Sequence, residues 1–279
     1  MSVKAVKSLA ALAALAMIVS GFSARADVAP PAKGKDAVVD RIKDRGVLKV
    51  AAIGEFPWLP ENTTGSGEQY SGPAWVLAKE FARQLGVKLE VVQVSHETKV
   101  PILATGQADI TIAPLSVTPA REKVVDFLVY SKSSLCLIGR ADNKKLANAT
   151  SVDDLDKPDV IVAYFTGTPP ETWLPTRFKN VKTRAVAGSG ANAPVEEIMS
   201  GRADVTTIDN VAWPQLEKQV PGLTSWPKGD ACLDSKEMAG PVGLAIDKGH
   251  PEFLAWITVV ANEIKDKTKA EEIRIMKGL

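Results

Sequence analysis

The chain has 279 residues, 45% of them hydrophobic and 24% charged, and its 34 basic side chains are almost matched by 33 acidic ones. So even a balance argues against a nucleic-acid-binding surface. The length is enough to bury a large core, and at this size a division into two domains is common.

The N-terminus reads as an export signal. Lys4 and Lys7 precede an apolar run from Leu9 to Phe22, and Ala24-Arg25-Ala26 then supplies small residues around a cleavage point. Residues 1–26 are therefore expected to be a signal peptide, with the mature chain starting at Asp27 and localised to the periplasm. The apolar run is shorter and richer in alanine than the span of about 20 residues that a membrane anchor needs. No cysteine follows the cleavage point to carry a lipid, and no second segment of spanning length comes after it.

The stretch "DVAPPAKG" is a loose leader, followed by a short amphipathic helix, "KDAVVDRIKDRG", that ends at Gly46. The strand "VLKVAAI" comes next, then an irregular segment from Gly54 to Gly72. "PAWVLAKEFARQLG" places Trp75, Ala78, Phe81, Ala82 and Leu85 on one helical face and stops at Gly86. "VKLEVV" alternates as a strand, "VPILATG" is a helical turn, and "ADITIA" is a further strand. The second half repeats the plan. Ser151 and Asp154 open a helix at "SVDDL", "DVIVAYF" is a buried strand, "TGTPPETW" starts a helix, and "VEEIMSG" leads into the strand "RADVTTID". Strands alternating with helices predict an α/β layer with a mostly parallel sheet.

Two segments match internally. Gly106, Ala108 and Asp109 of "ILATGQADITIAP" recur as Gly201, Ala203 and Asp204 of "IMSGRADVTTID", at a constant offset of 95 residues. Each copy follows a helix and precedes a strand, which suggests two lobes of similar construction. In that register Pro114 corresponds to Asp209, both at the carboxyl ends of strands, where open α/β sheets bind ligands. Cys136 and Cys232 are the two cysteines of the chain. In an oxidising compartment a disulfide and a pair of separate buried thiols both remain open, because sequence does not supply the geometry.

The segment "PLSVTPAREKVVDF" (114–127) sets Arg121 just past a strand end, in a loop position of the kind that carries function. With "RGVLKVAAIGEFPW", "KEFARQLGVKLEVV", "VPILATGQADITIAPLSVTPAREKVVDF", "TSVDDL", "VIVAYFTGT", "MSGRADVTTID" and "GPVGLAIDKGHPEF", it resembles the family 3 periplasmic solute-binding proteins. These are the amino-acid-binding components of ABC importers, and the matching pieces run in family order through almost all of the mature chain. The resemblance implies an α/β, two-lobed periplasmic-binding-protein fold of type II with its ligand cleft between the lobes. Lobe one would comprise residues 27–140 and 236–279, and lobe two residues 141–235. A small zwitterion, an amino acid, would be the ligand, and an ABC permease at the inner membrane the partner. The protein would act as a monomer, with no cofactor and no nucleic acid.

The resemblance also assigns residues. Arg121 would hold the ligand's α-carboxylate, with Ser116 adding a backbone or hydroxyl donor; a planar guanidinium can grip a carboxylate through two parallel bonds. The plainer reading of Arg121 is a surface arginine paired with Glu122 or Asp126. Thr118 reads as the cap of a helix starting at Pro119. Asp209 would take the α-ammonium, which is expensive to bury alone, and Pro114 could add its carbonyl; the alternative for Asp209 is an N-cap before "NVAW". Thr168 would face the anion, yet "TPPE" is also a capping box with Thr168 as cap and Glu171 three residues on. Pro169 departs from the family pattern, since it has no N–H to donate. Glu55 and His96 occupy positions where the family often has aromatics, and both could instead be exposed loop residues. If they line the cleft, the added carboxylate favours a cationic or strongly polar ligand side chain, with Trp58 and Phe165 as apolar walls.

Two other functions remain in view. Exported cyclohexadienyl dehydratases share the fold and need a positioned general acid, but the corresponding position, three residues after Asp209, is Ala212. A ligand-sensing partner of a membrane receptor is the other. His96 and His250 are not spaced with the cysteines as metal ligands would be, so no metal site is expected.

Overall fold

A computed structural model describes residues 27–188 and 192–278. The expected signal peptide, residues 1–26, lies outside them. Among the described residues nine strands form: β1 (Val47–Ala52), β2 (Lys88–Gln93), β3 (Ile110–Ser116), β4 (Val125–Arg140), β5 (Ile161–Phe165), β6 (Lys182–Val186), β7 (Val205–Asp209), β8 (Leu223–Trp226) and β9 (Glu237–Asp247). They are hydrogen-bonded in the order β2-β1-β3-β9-β4-β7-β5-β6, with β8 on β4.

The internal repeat accounts for how each half is built. Asp109 accepts from the Lys49 N–H at 2.8 Å while its own N–H donates to the Lys49 carbonyl at 2.8 Å. Asp204 does the same with Ile161, at 2.9 Å and 2.8 Å. Each aspartate thus pins the strand that its own strand joins in parallel, with Val50 opposite Ile110 and Val162 opposite Val205. Cations complete both sites: Arg41 and Arg45 at Asp109, Lys145 at Asp204. The shared residues are structural anchors, and they bring Pro114 and Asp209 to equivalent ends of β3 and β7.

Apolar cores form separately on the two sides. Two buried clusters draw on residues from Val38 to Leu128 and from Leu244 to Ile264. Two others lie wholly between Cys136 and Cys232. The long strands β4 and β9 run from one side to the other as an antiparallel ribbon, with register shifts near Ser131 and Ser133. The sheet is therefore continuous in hydrogen bonding, and its middle is this connecting ribbon.

Local signals behave largely as the sequence suggests. Asp36 caps the helix Ala37–Arg45, and Gly46 ends it in the left-handed region at φ 69°. The helix Pro73–Leu85 buries Ala78, Phe81, Ala82 and Leu85, but Ala74 and Leu77 complete its inner face. Trp75 sits at its edge, its indole N–H donating to Glu68 at 2.6 Å. Near "SVDDL" a short 3₁₀ turn, Asp153–Leu155, replaces the expected helix. There the Asp154 carboxylate accepts from the N–H groups of Thr150 and Ser151.

Cys136 and Cys232 form a disulfide, with Cα atoms 5.7 Å apart and a sequence separation of 96. It joins β4 to the turn that precedes β9 and closes a long loop, so its removal frees much chain entropy in the unfolded state. The double variant Cys136→Ser/Cys232→Ser is expected to lose about 2–5 kcal/mol of stability, measured by chemical denaturation against the oxidised parent. An unchanged midpoint would contradict this.

Candidate functional site

A cavity of about 250 Å³ opens between the two sides and is lined by both. Arg121 reaches it from a single helical turn, Pro119–Glu122, which Thr118 caps by accepting from the Arg121 N–H at 3.3 Å. The guanidinium folds back over the end of β3, where Nη1 donates to the Ser116 carbonyl at 3.0 Å. Nη2 donates across the cavity to the Gly167 carbonyl at 3.2 Å. Ser116 thus meets Arg121 as an acceptor. Asp126, the plainer partner for Arg121, pairs with Lys248 at 2.7 Å instead. Burial pulls the Arg121 guanidinium below its ordinary value, opposed by the Glu55 carboxylate.

Asp209 ends β7 from the opposite side, half-buried and lining the same cavity. Its side chain makes no helix-capping bond. Burial, helped by the Glu55 carboxylate, pushes its carboxyl up to about 7, while the Ser133 hydroxyl and Lys99 oppose the rise. The folded state therefore holds a proton that the unfolded chain releases near pH 4. Stability falls as pH rises from there through about 7, and the penalty is complete above that. Asp209→Asn is expected to raise unfolding stability at pH 8 by more than about 1 kcal/mol and to change it little near pH 3. Melting curves at both pH values decide it; an equal effect at both would remove the pH linkage.

Lys99 is the residue that sequence reasoning missed. It lies on a helical turn begun at Ser95, whose carbonyl accepts the Lys99 N–H at 3.0 Å. His96 and Lys99 are three residues apart, so both face inward from that turn. Lys99 is 3% exposed. Its Nζ donates to the Pro114 carbonyl at 2.9 Å and lies 3.4 Å from Glu55 Oε2. Burial lowers its pKa, and the carboxylates of Glu55 and Asp209 oppose this. The available signal was a lone lysine directly before the apolar run "VPIL", in phase with His96.

His96 is 7% exposed, and its ring lies 4.4 Å from that of Phe165 on the far side. Burial first, then the charges of Lys99 and Arg121, bring its pKa down to about 3, so the imidazole is neutral. Glu55 also lines the cavity, half-buried. Its charge is shared with Lys99, which offsets the pull on a cationic ligand side chain.

Two expected placements differ. Trp58 is not in the cleft wall: it is 1% exposed, and its indole N–H donates to Ser131 and Glu272 at 3.0 and 2.9 Å. The tight turn closed by the Glu55–Leu59 backbone pair sends Trp58 into the core and leaves Phe56 beside the cavity. Thr168 lines the cavity but does not cap the following helix. The helix begins at Pro170 after Pro169, Thr168 Oγ1 donates to the Phe165 carbonyl, and Glu171 accepts from the Gly167 N–H at 2.9 Å. With two prolines in succession, the capping bond moves one residue upstream.

Two α/β lobes around a polar cleft, joined by a strand ribbon, define a ligand-binding protein. The chain belongs to the bacterial extracellular solute-binding proteins, family 3, whose profile matches residues 48–275. Solved structures with the same type II fold include an ancestral amino-acid-binding protein described as a precursor of cyclohexadienyl dehydratase. It is 28% identical at a TM-score of 0.71, covering 87% of this chain and 99% of that one. A mutant of ArgBP from T. maritima is 26% identical at 0.72, covering 87% and 100%. Among curated proteins, the ABC transporter glutamine-binding protein GlnH of Bacillus subtilis is 25% identical over 203 residues, 71% of this chain and 68% of its own length. Cyclohexadienyl dehydratase of Pseudomonas aeruginosa is 25% identical over 180 residues, 64% and 65%. Membrane-bound lytic murein transglycosylase F of Aeromonas hydrophila is 26% identical over 189 residues, 67% of this chain, and the match spans only 36% of that enzyme's length.

Proposed function

We propose that the cleft captures a small carboxylate of amino-acid size in the periplasm and that the protein delivers it to an ABC importer. The observation that carries this is the placement of Arg121, with N–H groups to spare beyond its two backbone carbonyls, in the wall of one cavity lined by residues of both lobes. A ligand gripped by Arg121 contacts both lobes at once and so favours the closed form. The lobes proposed are residues 27–140 with 236–279, and residues 141–235, moving on the β4–β9 ribbon. GlnH and ArgBP, a glutamine-binding transporter component and a protein also solved with arginine bound, support the assignment to solute capture.

A thermal-shift screen of residues 27–279 against amino acids, other small carboxylates and polyamines tests the reading. A bound carboxylate well above its dissociation constant raises the melting temperature by mass action. If polyamines shift the protein and no carboxylate does, the reading is wrong. For the dehydratase alternative, Ala212 puts a methyl group in the cavity wall where a general acid would be needed. Prephenate is accordingly expected to survive incubation with the protein, followed by its absorbance; its conversion at an enzymatic rate would reverse that.

A further inference from the structure

The groups in the cavity that would attract a cation are Glu55, Asp209 and the Pro114 carbonyl. Lys99 already serves them. Its ammonium donates to Pro114 at 2.9 Å, pairs with Glu55 at 3.4 Å, and acts electrostatically on Asp209, which acts on it in return. The lysine side chain is 4% exposed, so its charge is not swung out into water. An incoming ammonium would meet a like charge in the place its acceptors define, with little solvent to screen it.

The remaining contacts suit an anion bearing a second oxygen. Arg121 uses two of its five N–H groups on backbone carbonyls, which leaves donors for a carboxylate. An ammonium carries three N–H bonds, and among the described residues Lys99 Nζ has two partners, Glu55 and Pro114. Among the described residues, His96 Nδ1, which as a neutral imidazole N–H can donate to a ligand oxygen, is buried without a hydrogen-bond partner and its residue lines this cavity. Gln215 Oε1 in the same wall is also unpaired, and as an acceptor it is met by a ligand hydroxyl. With His96 neutral and Asp209 easily protonated, the formal charge of the wall lies between zero and one positive. That balance suits a ligand carrying a carboxylate and no cation.

The geometry points to a small 2-oxo or 2-hydroxy carboxylate as the ligand class, with Lys99 supplying the ammonium that an amino acid would bring itself. The carboxylate sits on Arg121 and the 2-oxygen accepts from Lys99. This rests on the reading of the cleft as a carboxylate-capturing site gripped by Arg121.

Calorimetry on residues 27–279 with matched sets tests it: the 2-amino, 2-hydroxy and 2-oxo acids of the alanine, valine, phenylalanine and glutamate skeletons. For at least one skeleton the oxo or hydroxy acid is expected to bind at least about tenfold tighter than the amino acid. Lys99→Met should weaken the preferred acid by a similar factor and narrow or reverse the ratio. The ranking in the unmodified protein stands without the variant, and melting curves check that the variant folds. If the amino acid is the tightest member of every skeleton that binds, the proposal is overturned. Arg121→Ala then separates the two claims: loss of that amino acid's binding leaves the carboxylate reading standing, and retention removes both. If no member of any set binds, both fall.

Discussion

Arg121→Ala is expected to weaken binding of the cleft ligand by at least about 2 kcal/mol, roughly 30-fold in dissociation constant. The expectation follows from position. The guanidinium is held at the end of β3 by the Thr118 cap and the Ser116 carbonyl, so it presents a fixed charge to the ligand rather than searching for it. Removing it leaves a carboxylate buried without its partner, and that penalty dominates the effect. Folding should be nearly unaffected, because the side chain is bonded to two backbone carbonyls and belongs to none of the apolar clusters. Arg121→Lys should recover only part of the loss, since a point charge cannot reproduce two parallel bonds. Calorimetry with the tightest acid from the matched sets, beside a melting curve, checks both halves. Equal affinity for parent and Arg121→Ala would make the arginine a structural link and leave the anion to another group.

How much of this was legible in the sequence depends on the range of the interaction that fixes each residue. Asp109 and Asp204 were visible as a repeat because each pins a backbone pair with a fixed local geometry. The same strand ends then put Pro114 and Asp209 in register. Thr118 was read correctly from three neighbouring residues, since a cap is a local matter. Trp58 was not, because the turn from Glu55 to Leu59 decides which of Phe56 and Trp58 faces the cleft. The same distance problem left the cysteines open: they are 96 positions apart in sequence, and only the packing of β4 against the turn before β9 brings them together. Lys99 shows the remaining gap. A lysine beside an apolar run ordinarily lies at the surface, and its burial is explained only by Glu55 and Pro114, which lie 44 and 15 residues away. The Pro114 carbonyl was identified as an acceptor for an ammonium, and it is one. The ammonium belongs to the protein.

Gly167→Ala is expected to weaken ligand binding far more than it weakens folding. Gly167 sits at φ 77°, and an added Cβ would lie 2.8 Å from Glu97 Cα and 3.0 Å from the His96 carbonyl oxygen. Those neighbours belong to the other lobe, in the turn that carries His96 and Lys99. On the proposed hinge closure the clash exists only while the lobes are together; if they part, the left-handed backbone alone remains as a cost, about 1–2 kcal/mol for alanine. The Arg121–Gly167 hydrogen bond and the His96–Phe165 ring contact span the same gap, and the variant has to give up or distort both. If binding requires the closed form, affinity falls in proportion to the population of that form, here by about tenfold or more. Gly65→Ala is the control: its φ is 74° and nothing lies within 4 Å of its would-be Cβ, so it carries the backbone penalty without the contact. Melting curves should show similar small losses for the two variants, while calorimetry should show a loss of affinity for Gly167→Ala alone. Small-angle scattering at saturating ligand should give a larger radius of gyration for Gly167→Ala than for the parent. Parent-like affinity in Gly167→Ala would mean that ligand capture does not depend on bringing these two loops together.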